Sequence, residues 1–489
     1  MRSTALAVSV FVFGGFAACH ASGPASPATG GTDASGDDVA DAAEPAPIVV
    51  GADPQRAGDA KKGYDALVNQ GYVGCGIPYT AYSMAFGTAA PASLQLPGRN
   101  ALNAPMSYDV TRFTTPDGVD VVGPNCLACH AASLGGQIVI GLGNTSQDFT
   151  IDFSSEAALA GALLTDPKEK AELAKFVARG QAIAPFTKAL TVGVTPADDI
   201  AAALFAHHDV KTLAWSDTPL LALPPAYAVP VDVPPWWRMT KKHAMFYTAA
   251  GRGDHARVMM TASTFCVDSV AQATAIDAYF PDVRAYVESL TPPKYPGKVD
   301  ATLASRGQTV FDATCSRCHG TYGSAGSGGS GGSYPNLLIP VTDVGTDTVL
   351  ATGGGQFAGA YVGWFNQSFY GQIAHLDPQP GYYAPPLDGV WATAPYFHNG
   401  SVPTIEAVID SPKRPTYFVR STTPTDYDIG AMGWAFTAQA TGQDAESDPN
   451  KRKLIYDTTK LGYGNGGHTY GDALSDDDRA AVIEYLKTL

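Results

Sequence analysis

Apolar residues recur at helical spacing in four stretches of the chain. "DAKKGYDALVNQGY" (Asp59–Tyr72) and the run from Thr302 to Phe311 each predict an amphipathic helix. "RAYVESL" (Arg284–Leu290) and "AAVIEYLKTL" (Ala480–Leu489) predict two more, with Ser475 as N-cap of the last. The four form two pairs, each an opening and a closing helix. "TPPKYPGK" (Thr291–Lys298) separates the pairs, and its prolines stop the helix before it. The pattern predicts two folded units, 56–290 and 299–489, joined by the linker 291–298.

Ahead of these units the pattern changes. Arg2 precedes a short apolar run, Ala5–Phe16, too short to span a bilayer as a stable helix. It reads as a targeting segment over residues 1–18. "FAAC", ending at Cys19, has the form of a lipoprotein site in which Cys19 is lipidated. Plain cleavage after Ala18 or Ala21 is the other reading. Both predict export, to the periplasm or the cell surface. From His20 to Asp53 the chain is Ala, Gly, Ser, Pro and acids, without Lys or Arg. Residues 19–55 are therefore expected to be a disordered tether. No later run of eighteen apolar residues predicts a membrane helix, so a lipid anchor is the expected membrane contact.

Composition narrows the function. Of 489 residues, 52 are Gly and 36 are Pro, which predicts long irregular loops. The net charge of −15 argues against nucleic acid and favours steering of a basic protein partner.

Seven cysteines change the picture most. "CLACH" (Cys126, Cys129, His130) and "CSRCH" (Cys315, Cys318, His319) are two copies of Cys-x-x-Cys-His. A random chain of this composition would hold roughly 0.002 such matches, so two copies are not chance. The motif is the attachment site of c-type haem. Thiols three residues apart lie on one helical turn and can each bond a vinyl group. The adjacent histidine then lies under the iron as proximal ligand. A zinc site shared by both cysteine pairs, or a thiol redox motif, is the rival reading. Two covalently bound c-type haems are expected, one per unit. Cys75 and Cys266 remain, either as a disulfide or as separate buried thiols.

Candidate axial ligands come next. His468 lies in "GYGNGGHTYGD", where glycines let the backbone approach a flat cofactor. It is the candidate sixth ligand to the second haem, with an exposed loop histidine as the alternative. His255, Tyr247 and Trp237 are candidates for the distal side of the first haem. His243 and the pair His207 and His208 read more simply as solvated residues. Trp236, Trp237 and Phe246 can carry electrons between haems or pack against them. In "ATAPYFHNGS" (Ala392–Ser401), Pro395 and the Asn399-Gly400 turn place His398 on an irregular segment. "SAGSGGSGGS" (Ser324–Ser333) is expected to be a surface loop; it lacks the Lys-Ser/Thr and helix of a phosphate cradle.

These pieces resemble a known group. "CSRCHGTYG", "YPN" (Tyr334–Asn336), "PPLDGVWATAPYFHNGSVPTIEAVI" (Pro385–Ile409) followed by "KRP", and Gly467-His468 ahead of "EYLKTL" carry the likeness. They resemble the bacterial di-haem cytochrome c peroxidase superfamily, in the branch of the di-haem rubber oxygenases. "GYVGCGIPY", "CLACHA" and "VPPWW" extend it into the first half. The resemblance implies a mainly α fold: two cytochrome c-like haem domains with long irregular loops, the haems facing across an interface. It implies His468 as sixth ligand, with Met432 and then His398 as runners-up; otherwise His398 would bond a haem propionate or hold the interface. It implies redox chemistry, with a small redox protein as partner and peroxide, oxygen or an organic molecule as substrate. A non-catalytic electron carrier is the alternative. Peroxidases of the group hold calcium between the domains, but no ligand run here demands Ca2+. Their "WDG" motif and an evident distal Glu are missing.

Overall fold

The computed structural model describes residues 46–323 and 331–489. The targeting segment, Cys19 and most of the expected tether lie outside the described residues, as does most of the Ser324–Ser333 loop. All described residues fall in one compact unit.

The two predicted helix pairs form, and both are built alike. Asp59 caps the opening helix Ala60–Asn69 by accepting from the amides of Lys61 and Lys62. Asp300 caps Ala301–Thr314 through Thr302 and Leu303. Ser475 caps the closing helix Asp476–Leu486 through Asp478. Each opening helix crosses its closing helix at a glycine. A Cβ on Gly63 would overlap the Asp282 carbonyl and stand 2.9 Å from Tyr286 Cβ. A Cβ on Gly307 would overlap the Ala481 carbonyl and stand 2.9 Å from Tyr485 Cβ. The missing side chain lets the two backbones touch, and the same crossing is used twice.

The expectation of a mainly α fold is overturned. Helix accounts for 40% of the residues and strand for 13%, in several small sheets, so the fold is mixed α/β. The strands come from the glycine- and proline-rich insertions. Val110–Thr114 pairs with Asp120–Pro124 around a Pro-Asp-Gly turn. Ala131–Leu134 pairs with Gln137–Ile140 across Gly135-Gly136, both at positive φ, as a tight hairpin turn requires. Backbone groups in these loops need partners, and short antiparallel ladders supply them.

One such ladder also corrects the tether. Ile48–Val49 pairs antiparallel with Leu337–Pro340, which pairs in turn with Gly381–Tyr383. Val50 is buried, and its amide donates to the Asn336 carbonyl.

Two large apolar cores fill the unit. One belongs to the first half, the other to the second. The long helix Val349–Gln367 crosses this division. Its Trp364, with Phe365, Phe369 and Tyr370 beyond, completes the first core. Trp364 stacks on Phe205 at 4.4 Å and donates from Nε1 to the His208 carbonyl at 2.7 Å. His207 and His208 are accordingly buried, not solvated. Cys75 and Cys266 form a disulfide within the first half. Among the described residues no helix is long and apolar enough to cross a membrane.

Candidate haem site

Each Cys-x-x-Cys-His motif sits on a single turn of helix. In the first half, Asn125 accepts from the Leu127 amide and Tyr72 Oη from the Cys126 amide, which starts the turn Leu127–His130. The Gly135-Gly136 hairpin follows at once. In the second half, Ala301–Thr314 runs into the turn Ser316–His319. Gly320, at φ +80°, then bends the chain away where a Cβ would strike the Ser333 carbonyl.

The four cysteines are free and half-buried. Burial pushes the Cys126 and Cys315 thiols up to about 11. A thiol redox motif needs the opposite, a depressed pKa. The described residues bring no three His, Cys, Asp or Glu side chains together as a metal cluster. No such cluster joins the two cysteine pairs among the described residues.

The second half shows how a flat cofactor would be held. His319 Nδ1 lies 2.8 Å from the Pro385 carbonyl. That bond fixes the ring and leaves Nε2 as the ligating nitrogen. Burial lowers the His319 pKa, which keeps the ring neutral. Opposite it stands His468, ring centroid to ring centroid 6.1 Å. A metal–imidazole bond is about 2 Å, so two rings on opposite faces of one iron have centroids roughly 6 Å apart. The residues present fit a six-coordinate haem.

The loop that presents His468 is tightly held. His468 has φ +46°, rare for a side-chain-bearing residue, and its amide donates to the Val344 carbonyl at 2.6 Å. Arg414, in the "KRP" run, donates to five carbonyls, of Ala407, Val408, Asn465, Gly467 and His468. Burial holds His468 down to about 4, and its Nδ1 has no hydrogen-bond partner.

In the first half, His130 stacks on Trp236 at 4.6 Å and 21°. Burial pushes it down to about 4. The Pro234 carbonyl opposes part of that shift, but the contact falls short of hydrogen-bond geometry. No described histidine ring faces His130 at the separation of His319 and His468. Trp237 donates from Nε1 to the Asp388 carbonyl of the second half at 2.9 Å. His255 is buried, with neither ring nitrogen bonded, and burial pushes it down to about 4.

His398 and Tyr247 occupy equivalent places. Bridges Met245–Gly251 and Tyr396–Val402 close two turns of the same length. Phe246 and Phe397 share φ +70° within them, and Tyr247 and His398 follow. The turns meet where the halves meet. His398 stacks on Tyr382 at 4.1 Å, with Nε2 3.0 Å from the Tyr382 hydroxyl. Its carbonyl accepts from the Asp232 amide, and Tyr247 stands 6.4 Å away, edge to face. Phe397, one residue earlier, is the ring that reaches His468, at 5.9 Å. Met432 is fully buried in the second core, where its carbonyl accepts from Tyr396. The repeated turn was hidden in sequence. Its trace is a phenylalanine at the centre of "MFY" (Met245–Tyr247) and "YFH" (Tyr396–His398).

The Cys-x-x-Cys-His turns, with a proline carbonyl bonded to His319, are those of a c-type cytochrome with a redox role. The comparisons agree at that level. Residues 381–419 match the family described as RoxA-like, cytochrome c-like. This segment holds the His398 turn and Pro385, and marks a cytochrome c-like domain with covalent haem c. The chain is also similar to two proteins of Sinorhizobium fredii (strain NBRC 101917 / NGR234), both described as uncharacterized. It is 29% identical to y4iM over 42% of this chain and 53% of the relative. It is 29% identical to y4iJ over 47% of this chain and 46% of the relative. The matches thus span about half the length of each relative.

Proposed function

We propose that the protein is an exported di-haem redox enzyme. The haem at Cys315 and Cys318 takes His319 and His468 and relays electrons. The haem at Cys126 and Cys129 takes His130, and its other face is where peroxide or oxygen reacts. The observation that carries this reading is the asymmetry between the halves: among the described residues His319 has a facing imidazole and His130 has none. When bound, such a haem supplies a one-electron centre and, where an axial position is open, an iron that binds oxygen or peroxide.

The chain's own residues fit these roles. Neutral, half-buried His130 and His319 can present ring lone pairs to a metal. Trp236 against His130 and Trp237 against Asp388 connect the two sites with aromatic groups. Tyr247 and His255 remain the candidates for the distal side of the first haem. The disulfide supports an oxidising compartment. The acidic chain suits a basic electron-transfer protein as partner. The substrate is peroxide, oxygen or an organic molecule oxidised at the open face.

A non-catalytic electron carrier would need both irons six-coordinate. Low-temperature electron paramagnetic resonance of the oxidised protein separates the two. The enzyme shows one low-spin and one high-spin ferric signal, and the high-spin signal changes on adding peroxide. Two low-spin, unreactive signals would leave the carrier.

A further inference from the structure

Buried cations in this fold are satisfied in one of two ways. Some pair with carboxylates: Arg257 with Asp277, Arg179 with Asp268, Lys241 with Asp388. Others exhaust their donors on carbonyls, as Arg99 and Arg414 each do on five. Arg238 does neither; Arg420, which also lacks an ion pair among the described residues, gives Nη1 to the Ser421 carbonyl and Nη2 to the Thr145 carbonyl. Arg238 is buried, at 8% exposure, and has no ion pair among the described residues. Its Nε donates to the Asp388 carbonyl at 3.1 Å and its Nη2 to Thr393 Oγ1 at 3.3 Å. Nη1 makes no hydrogen bond. Four residues on, Lys242 is half-buried with no partner for its three donors; its Nζ rests 5.1 Å over the Tyr383 ring. Burying unpaired charge is costly unless something else neutralises it.

Position says what that is. Arg238 lies two residues after Trp236, the ring on His130, yet its charge reaches His319, the hydroxyls of Tyr322, Tyr247 and Tyr396 and, without an ion-pair contact, the carboxylates of Asp388 and Asp232. A haem bonded through its vinyl edge to Cys315 and Cys318 must turn its other edge, with two carboxylates, away from the thiols. Three other arginines of that half are engaged elsewhere, Arg420 on the Ser421 and Thr145 carbonyls. Arg414 is spent on the His468 loop, and Arg317 lies over Tyr470, beside the thiols. We propose that Arg238, with Lys242 beside it, is the seat for the propionate carboxylates of the haem held by Cys315, Cys318 and His319. This rests on the di-haem reading above. Burial and the Arg238 charge push Lys242 down to about 8, as expected of a cation whose counter-charge belongs to a cofactor. The first half of the chain thereby holds the cofactor of the second.

The test is a spectroelectrochemical titration of the purified di-haem protein, following the low-spin haem. A cation beside the propionates disfavours the ferric state. Arg238→Gln should therefore lower the midpoint potential of that haem, Arg238→Lys should restore most of it, and Lys242→Met should lower it less. The potential of the haem at Cys126 and Cys129 should move less. An unchanged low-spin potential in Arg238→Gln, with two haems bound, overturns the assignment. If Arg238→Gln does not fold, Lys242→Met, which breaks no hydrogen bond, decides by the same criterion. An unaltered protein carrying fewer than two haems by mass would instead overturn the di-haem reading.

Discussion

The rings of His319 and His468 stand 6.1 Å apart and tilted by 60°, held by elements 149 residues apart that touch through this site. His319 is set by the Pro385 carbonyl and His468 by Arg414. His468→Ala should convert the low-spin signal of the second haem to high-spin and leave the first haem unchanged. His398→Ala should keep the low-spin signal, because Phe397 rather than His398 approaches His468. Electron paramagnetic resonance of the two variants checks both. A low-spin signal surviving in His468→Ala would return the ligand role to Met432 or His398.

The glycine crossing gives a stability test. At Gly307 a methyl group would overlap the Ala481 carbonyl, and neither helix can yield without moving the closing helix. Overpacking of this kind costs about 1–3 kcal/mol, and backbone contact puts it at the upper end. Gly307→Ala should lower the urea midpoint clearly. Gly359→Ala is the control: it sits on the exposed face of a helix with nothing within 4 Å, so the change should raise stability by up to about 1 kcal/mol.

Acid should weaken the interface between the halves. Burial pushes His398 down from 6.5 to about 3. Its folded pKa is depressed, so above pH 6.5 neither state holds the proton. As pH falls from 6.5 towards 3, the unfolded chain takes up a proton that the folded one refuses. Stability then drops by about 1.4 kcal/mol per pH unit for this group. His398→Gln, which can still bond Tyr382, should flatten the urea midpoint between pH 6.5 and 4 by about one proton. An unchanged slope would show that His398 already titrates in the folded state.

Cys75 and Cys266 are 191 positions apart in sequence and bonded in the fold. Tying so long a loop restricts the unfolded chain, and removal of a native disulfide costs about 2–5 kcal/mol. The double variant Cys75→Ser and Cys266→Ser should melt several degrees lower in calorimetry while keeping its haem by mass. Equal melting temperatures would show that the bond adds nothing to stability.

Much of the frame was legible in the residues. The opening and closing helices follow from apolar periodicity, and the haem turns from Cys-x-x-Cys-His. His468 stood out among glycines. The strands did not, because most are two to five residues long and pair with distant partners. Nothing local in Ile48–Val49 points to Leu337–Pro340. The hairpin at Gly135-Gly136 was visible in principle, since two glycines between short apolar runs are a turn signal. His207 and His208 read as solvated although Trp215, close in sequence, stacks on His207 at 4.7 Å and meets His208 edge to face; the more distant Trp364 adds a second ring beside His208. Arg238 depends on distant groups. "VPPWWRM" shows an arginine beside two tryptophans, but its missing counter-charge is apparent only once Asp388 and Thr393 are beside it.

The helix Val349–Gln367 belongs to one half by sequence and to the core of the other by packing. A self-contained half would bury its apolar surface with its own residues. Here the first half does not. Cutting the chain at Thr291–Lys298 would strip Trp364, Phe365 and Tyr370 from the apolar bed formed by Phe205 and its neighbours, and both products would carry sticky faces. The two units can be separated only at that cost.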